Sequence, residues 1–318
     1  MSYWRRINQP ISFQGARQVR SYFEGWYFKI TDSSQGIAFA IIPGIAYDEN
    51  GEGHVFIQTI DGVRRVSSYH EFDLELFEPS KNGFGISIAN NHFSRSELKI
   101  DLEDIKMNVN LSPWAEIPRT WKRPGIMGWY AYMPFMQCYH GLGSMNHTVQ
   151  GELSIHQSSF QLLKAKGYME KDWGRSFPKA WIWTQCNNFE CDDLSVFASV
   201  AHIPWIGSSF IGFLAVVYYN GHFETFATYT GAERHTMVND DSVRLEFRNG
   251  ESQLLIESIK GEGSDLRSPI SGSMTGKVNE SLTSKMKIKY SNRSGMEVIE
   301  QGVFGGLEVA GDTECLLT

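Results

Sequence analysis

Residues 166–187 read Lys-Gly-Tyr-Met-Glu-Lys-Asp-Trp-Gly-Arg-Ser-Phe-Pro-Lys-Ala-Trp-Ile-Trp-Thr-Gln-Cys-Asn, a run with two carboxylates, three indoles and two side-chain amides. In extended chain, alternate residues share a face. Tyr168, Glu170 and Asp172 then point one way, and further on Trp181, Trp183, Gln185 and Asn187 point one way. A strand serving only a core would carry Leu, Val or Ile there; acids and amides beside indoles suit a cavity with a polar floor and aromatic walls. Such a site has a specific use. Desolvation disfavours a carboxylate's charged form, so a buried acid can hold a proton near neutral pH. It can then protonate a weak base, even an alkene. Indole and phenol faces stabilise the resulting carbocation by about 2 kcal/mol each when dry. Gln185 and Asn187 would orient a hydroxyl.

A second motif, Ser-Tyr-Phe-Glu-Gly-Trp-Tyr-Phe-Lys-Ile at 21–30, places Glu24, Trp26 and Phe28 on one face of a strand. Two readings fit it. Trp26 packs across a barrel bottom while Glu24 pairs with an arginine, or the two motifs share one site. The candidate catalytic residues are Glu170, Asp172 and Glu24. The candidate ligand contacts are Trp26, Tyr168, Trp173, Trp181, Trp183, Gln185, Asn187 and His140. His140 and His147 are further candidates for proton partners. Histidines 140, 147 and 156 match no helical metal-ligand spacing, so no metal is expected. Cys186 and Cys191 read as packed thiols, since no His can be placed beside them.

The elements that must hold these groups are strands. Short alternating segments rich in β-branched and aromatic residues occur at 22–30, 37–46, 54–60, 66–77, 85–89, 97–102 and 107–111. They resume at 148–156, 159–163, 180–187, 194–202, 210–219 and 222–229, and again at 242–247, 253–258, 270–278, 285–290 and 297–304. Asn-Gly and Asp-Gly pairs such as Asn220-Gly221 and Asn249-Gly250 mark hairpins, because both residue types tolerate positive φ. Many hairpin-linked strands without amphipathic helices predict an all-β protein. The strands are too many for one small barrel, so two antiparallel barrels are expected, an N-terminal one over 1–173 and a C-terminal one over 174–318. Residues 112–143 break the pattern with Trp114, Trp121, Trp129, Tyr130, Tyr132, Phe135, Tyr139 and four prolines. A segment of this kind is a lid or an aromatic plug.

The net charge of −7 argues against nucleic acid as a partner and gives no reason for attraction to anionic lipid. A small hydrophobic ligand fits the aromatic content of 13%. The longest apolar run, 210–219, is about half the length of a membrane helix. With no apolar run behind its first residues and four scattered cysteines, the chain is expected in a cytoplasm, with at most transient membrane-surface contact. No Gly-x-Ser-x-Gly, dinucleotide loop or P-loop occurs.

The 21–29 motif resembles the amino-terminal signature of the tocopherol cyclase family, including its bacterial members. Residues 170–190 resemble the central signature almost position by position, and Pro-Phe-Met-Gln-Cys-Tyr-His at 134–140 has a counterpart as well. The resemblance implies two lipocalin-like barrels and cofactor-free chemistry. In that chemistry a prenyl double bond on a hydroquinone is protonated and the phenol oxygen captures the cation. It also places the chain near carotenoid hydratases and some cyclases. Plant members carry Asn where this chain has Asp172, which favours the shared carboxylates Glu170 and Glu24 as the acid, and they carry Gly-Pro-Trp where it has Gly305-Gly306-Leu307-Glu308. A polyene hydratase and a lipocalin-like isoprenoid or quinone carrier without chemistry are the alternatives.

Overall fold

A computed structural model describes residues 7–317. The first sheet contains β1 (Tyr22–Asp32), β2 (Ile37–Tyr47), β3 (Gly53–Asp61), β4 (Val66–Phe72), β5 (Phe77–Pro79), β6 (Gly85–Ile88), β7 (Asn91–Ser94), β8 (Glu97–Asp101), β9 (Ile105–Leu111), β10 (Cys138–Ile155) and β11 (Ser158–Gly174). The second contains β12 (Ala180–Cys186), β13 (Leu194–Trp205), β14 (Ser208–Tyr219), β15 (His222–Ala227), β16 (Glu233–Val238), β17 (Ser242–Asn249), β18 (Ser252–Ile259), β19 (Ser264–Ile270), β20 (Ser273–Ser291) and β21 (Glu297–Gly311).

Both sheets have one topology. The first runs β4-β3-β2-β1-β11-β10-β9-β8-β7-β6-β5, so chain neighbours lie side by side and the first strand pairs with the last. That is the order of an up-and-down barrel opened between β4 and β5. The second runs β15-β14-β13-β12-β21-β20-β18-β17-β16, with β19 on β20, and is opened between β15 and β16. Each is an antiparallel, lipocalin-like half-barrel, as expected. The chain divides into two compact units: the chain up to Ile60 with Ser67–Phe177 and Arg267–Gly276, and Asp61–Val66 with Pro178–Leu266 and the residues from Lys277 on.

Local sequence explains most elements. β9 alternates buried and exposed residues without exception, the signature of a strand with one wet face. Asn220 and Gly221 take φ of 47° and 80°, the paired positive values of a two-residue hairpin turn, between β14 and β15. The inner faces form one apolar core per unit, Trp26, Phe28, Phe93 and Met169 belonging to the first and Ile182, Val196, Phe247 and Ile288 to the second.

Five features differ from the sequence expectation, the first being that the segments 270–278 and 285–290, expected as two strands, meet in the single strand β20. The segments 148–156 and 159–163 are parts of the long strands β10 and β11, and β11 continues unbroken through Glu170 and Asp172 to Gly174. β10 begins at Cys138, so His140 is a strand residue, not part of an irregular lid. The short strands β7, β16 and β19 were not expected. Segment 66–77 is split, β4 ending at Phe72 before a turn of 3-10 helix at Leu74–Leu76.

Gly174 closes β11 with a φ of 151°, and a Cβ there would lie 2.3 Å from the Gln137 carbonyl oxygen. Gly174→Ala is therefore expected to push the ends of β10 and β11 apart and cost about 1–3 kcal/mol. A urea midpoint equal to wild type would contradict this.

Candidate functional site

β1 and the last part of β11, from Gly167 to Gly174, are largely buried on both faces, unlike β9. Register assigns the faces. Trp26 is opposite Lys171, Phe28 opposite Met169 and Glu24 opposite Trp173; Phe28 and Met169 are core residues, so this is the core face. Tyr27 is opposite Glu170, Lys29 opposite Tyr168 and Gly25 opposite Asp172, on the other face. β10 adds His140, opposite Asp172.

The second face carries a compact polar cluster. His140 Nδ1 lies 3.0 Å from Asp172 Oδ1, and His140 Nε2 lies 3.8 Å from Glu170 Oε2. The Tyr168 hydroxyl donates to Glu170 Oε2 at 2.5 Å. Tyr168 and Glu170 are buried, while the Asp172 side chain retains 26% of its exposure. Burial, and then the Glu170 carboxylate, push the Tyr168 phenol well above its ordinary range, so it stays a donor. Burial pulls the His140 imidazole down, but the Asp172 and Glu170 carboxylates lift it further, to about 9. The imidazole is thus a cation at neutral pH, bracketed by two acids. Burial, and then Asp172, raise the Cys138 thiol, whose sulfur lies 3.9 Å from Asp172 Oδ1, so it is no nucleophile.

This geometry sets a pH dependence. The folded His140 binds its proton more tightly than the ordinary value of 6.5, so the native state binds more protons than the unfolded chain between about 6.5 and 9. Its stabilisation, on the order of 3 kcal/mol, is complete below the lower value and disappears as the pH rises through the upper one. The urea-midpoint gap between wild type and His140→Gln should therefore shrink between about pH 6 and 9.5. A constant gap would contradict the assigned charge.

On the core face, Glu24 and Lys171 form a clamp. The Lys171 ammonium lies 2.5 Å from Glu24 Oε1, both side chains fully buried. It donates to the carbonyls of Pro10 at 3.0 Å and Ser12 at 2.7 Å, and it sits 5.0 Å from the Trp26 ring centroid and 4.5 Å from that of Trp173. Burial pushes Lys171 down to about 8, against the Glu24 carboxylate. Glu24 also accepts from the backbone N–H groups of Gln14 and Gly15 and from the Tyr22 hydroxyl at 2.5 Å. The Trp26 indole donates to Ile11 O at 2.7 Å. These contacts pin segment 10–15 over the half-barrel. Glu24 and Trp26 therefore stand on the opposite side of the β1–β11 pair from Glu170, and the donors around Glu24 suit an anchor. Glu24 is thus paired with a cation, but the cation is Lys171 and not the arginine expected from sequence.

Lys171 was missed from sequence. The signal was present: it shares strand parity with Met169 and Trp173, and a lysine on an apolar face must be paired. His147 is buried, stacks on Trp114 at 5.9 Å and approaches the Ser144 hydroxyl at 2.9 Å; burial lowers it to about 3, so it stays neutral and is no proton donor. His140 and Trp173 both border a cavity of about 30 Å³ with Pro10, Ile11, Met127 and Tyr139. Tyr139 stacks on Trp173 at 5.4 Å, and the Trp173 Nε1 is buried without a hydrogen-bond partner among the described residues.

Trp181, Trp183 and Gln185 lie on β12 in the second unit, on the face away from its apolar core, with Asn187 just beyond the strand. The Trp181 indole donates to Glu308 Oε2 at 2.6 Å. Gly306 makes room for Trp183, since a Cβ there would lie 2.5 Å from the indole. His140, Glu170 and Asp172 each offer one ligand atom, all within 4.8 Å of one another, so this trio could hold a cation.

A family model described as tocopherol cyclase-like matches residues 48–311. A probable chloroplastic tocopherol cyclase of Oryza sativa subsp. japonica is 28% identical over 165 residues, 49% of this chain and 34% of that protein. The chloroplastic tocopherol cyclase of Zea mays is 27% identical over the same shares. The matched part of the chain spans about a third of the length of these relatives. Among solved structures, CghA with Sch210972 superposes with a TM-score of 0.58 at 10% identity, over 92% of this chain and 89% of that one. A putative AttH from Nitrosomonas europaea gives 0.51 at 14% identity, over 90% and 92%. At such identities the likeness is one of fold, and the family rests on the sequence: this chain belongs to the tocopherol cyclase-like family.

Proposed function

We propose that the protein is a cofactor-independent cyclase of a prenylated quinol or related isoprenoid, with Glu170, His140 and Asp172 as its proton-handling groups. The observation that supports this reading most is the His140 imidazole set between two carboxylates, 3.0 Å from Asp172 and 3.8 Å from Glu170, beside a buried phenol. In the proposed cycle His140 charges Glu170, and Glu170 protonates the alkene at its less substituted carbon. The phenol oxygen of the substrate captures the tertiary cation, a C–O bond forms, and the phenolic proton leaves to Asp172. His140 returns that proton to Glu170. One proton enters and one leaves, so substrate and product have equal mass. Tyr168 orients the Glu170 carboxyl. Trp181, Trp183, Gln185 and Asn187 are proposed ligand contacts of the second unit.

The test is native mass spectrometry of protein from its own host, followed by incubation of the extracted lipid, or of a synthetic prenylated hydroquinone, with fresh protein. A product of unchanged mass with one fewer phenolic hydroxyl supports cyclisation. A product heavier by one water makes the protein a hydratase, and a bound isoprenoid that stays unchanged makes it a carrier. Conversion should also survive dialysis against a chelator. Loss that a divalent cation restores would turn the His140 trio into metal ligands.

A further inference from the structure

The irregular segment before β10 has two faces of different chemistry. Its inner residues Ile126 and Met127, together with Tyr139 at the start of β10, line the cavity at His140 and Trp173, and the Met127 sulfur accepts from the His140 backbone N–H at 3.1 Å. Its outer residues include Trp121 at 78% exposure, Phe135 at 47% and Trp129 at 43%. Reciprocal backbone hydrogen bonds between Thr120 and Arg123, at 2.8 and 3.1 Å, form a tight turn with Trp121 and Lys122 at its tip. The Tyr132 hydroxyl donates to the Trp121 carbonyl, tying that tip to the 3-10 turn Gly128–Tyr132, where Trp129 stacks on Tyr130 at 4.0 Å. Large exposed indoles are costly in water and mark an interaction surface.

Charge identifies the partner. Although the chain carries 36 acidic and 29 basic residues, residues 117–139 contain Arg119, Lys122 and Arg123 and no Asp or Glu. The Lys122 ammonium lies 5.1 Å from the Trp121 ring centroid. Indoles and a phenyl ring interleaved with cations, on a loop whose other face covers a cavity, match the interfacial zone of a bilayer. We infer that this loop docks on anionic lipid, with Trp121, Trp129 and Phe135 in the headgroup layer and the exposed Lys122 on a lipid phosphate, while Arg119 is held by Glu116 at 3.7 Å. The net acidic balance, which gave no reason to expect such attraction, is not distributed onto this loop. Docking stands apart from the chemistry proposed above; only the idea that a prenylated substrate enters beneath the loop rests on that reading.

The experiment is flotation of the full chain with vesicles of phosphatidylcholine alone and of phosphatidylcholine with phosphatidylglycerol. Wild type should float with the anionic vesicles, and raised salt should weaken binding. The double variant Trp121→Ser/Phe135→Ser should lose at least about tenfold in partitioning, and Lys122→Glu about fivefold or more. These side chains are exposed, so the melting temperatures should match wild type. Tryptophan fluorescence should be quenched by brominated lipid in wild type and much less in Trp121→Ser. No flotation of wild type, equal flotation of the aromatic variant, or self-association abolished by these substitutions without vesicle binding would overturn the inference. Flotation without any catalytic turnover would leave it standing and count only against the cyclase reading.

Discussion

Glu170→Gln is expected to reduce conversion of a prenylated hydroquinone by about 10²–10⁴-fold, the usual contribution of a positioned proton donor. The amide keeps the size of the carboxyl and can still accept the Tyr168 hydrogen bond, so folding should be retained and the loss should fall on turnover. His140→Gln should lose activity in the same range, because the imidazole is the group between the two acids. Asp172→Asn is expected to lose less. It keeps an acceptor for His140 Nδ1 but removes the charge beside it, so the alkaline limb of the pH–rate profile should move to lower pH. Single-turnover rates with near-UV circular dichroism separate these cases. Wild-type turnover in Glu170→Gln would remove this residue from the chemistry.

The largest stability effect is expected on the opposite face. Lys171→Met leaves the Glu24 carboxylate buried without its cation and removes the ammonium's hydrogen bonds to the carbonyls of Pro10 and Ser12. Breaking one partner of a buried pair costs about 3–5 kcal/mol, a large part of the stability of an ordinary domain. Glu24→Gln should cost a similar amount, since it weakens the acceptor of the Gln14 and Gly15 N–H groups. The double substitution should be less severe than the sum, because neither charge is then left alone. Urea midpoints of the four proteins give the coupling. A Lys171→Met variant within about 1 kcal/mol of wild type would show that the clamp does not hold segment 10–15.

How far the sequence reveals this arrangement depends on which information is local. Alternation in 105–111 and the Asn220-Gly221 pair report themselves, because each reflects a backbone preference of its own residues. The same parity argument correctly places Tyr168, Glu170 and Asp172 together. It fails for Glu24 because parity within a strand does not say which residues lie opposite in the next one. Glu24 meets Trp173 rather than Asp172, and that one-residue difference puts it across the sheet. His140 is hidden for a related reason. Cys-Tyr-His-Gly-Leu-Gly-Ser at 138–144 lacks a strand pattern of its own, with two glycines and a register shift between Leu142 and Ser144, and becomes strand through pairing with β11. β16 and β19 carry charged or proline residues typical of strands with little apolar demand, such as Glu233, Arg234, Asp265 and Pro269.

The reading of Glu170 as a donor to carbon is tested most directly by running the conversion of a prenylated hydroquinone in deuterium oxide. A proton delivered from an exchangeable side chain to the alkene must then appear as a single non-exchangeable deuteron on the methylene next to the new ether carbon. One deuteron per product is expected in wild type, with product from Glu170→Gln reduced by about 10²–10⁴-fold. A cyclised product without deuterium on carbon would contradict alkene protonation by this cluster and require a different chemistry for the site.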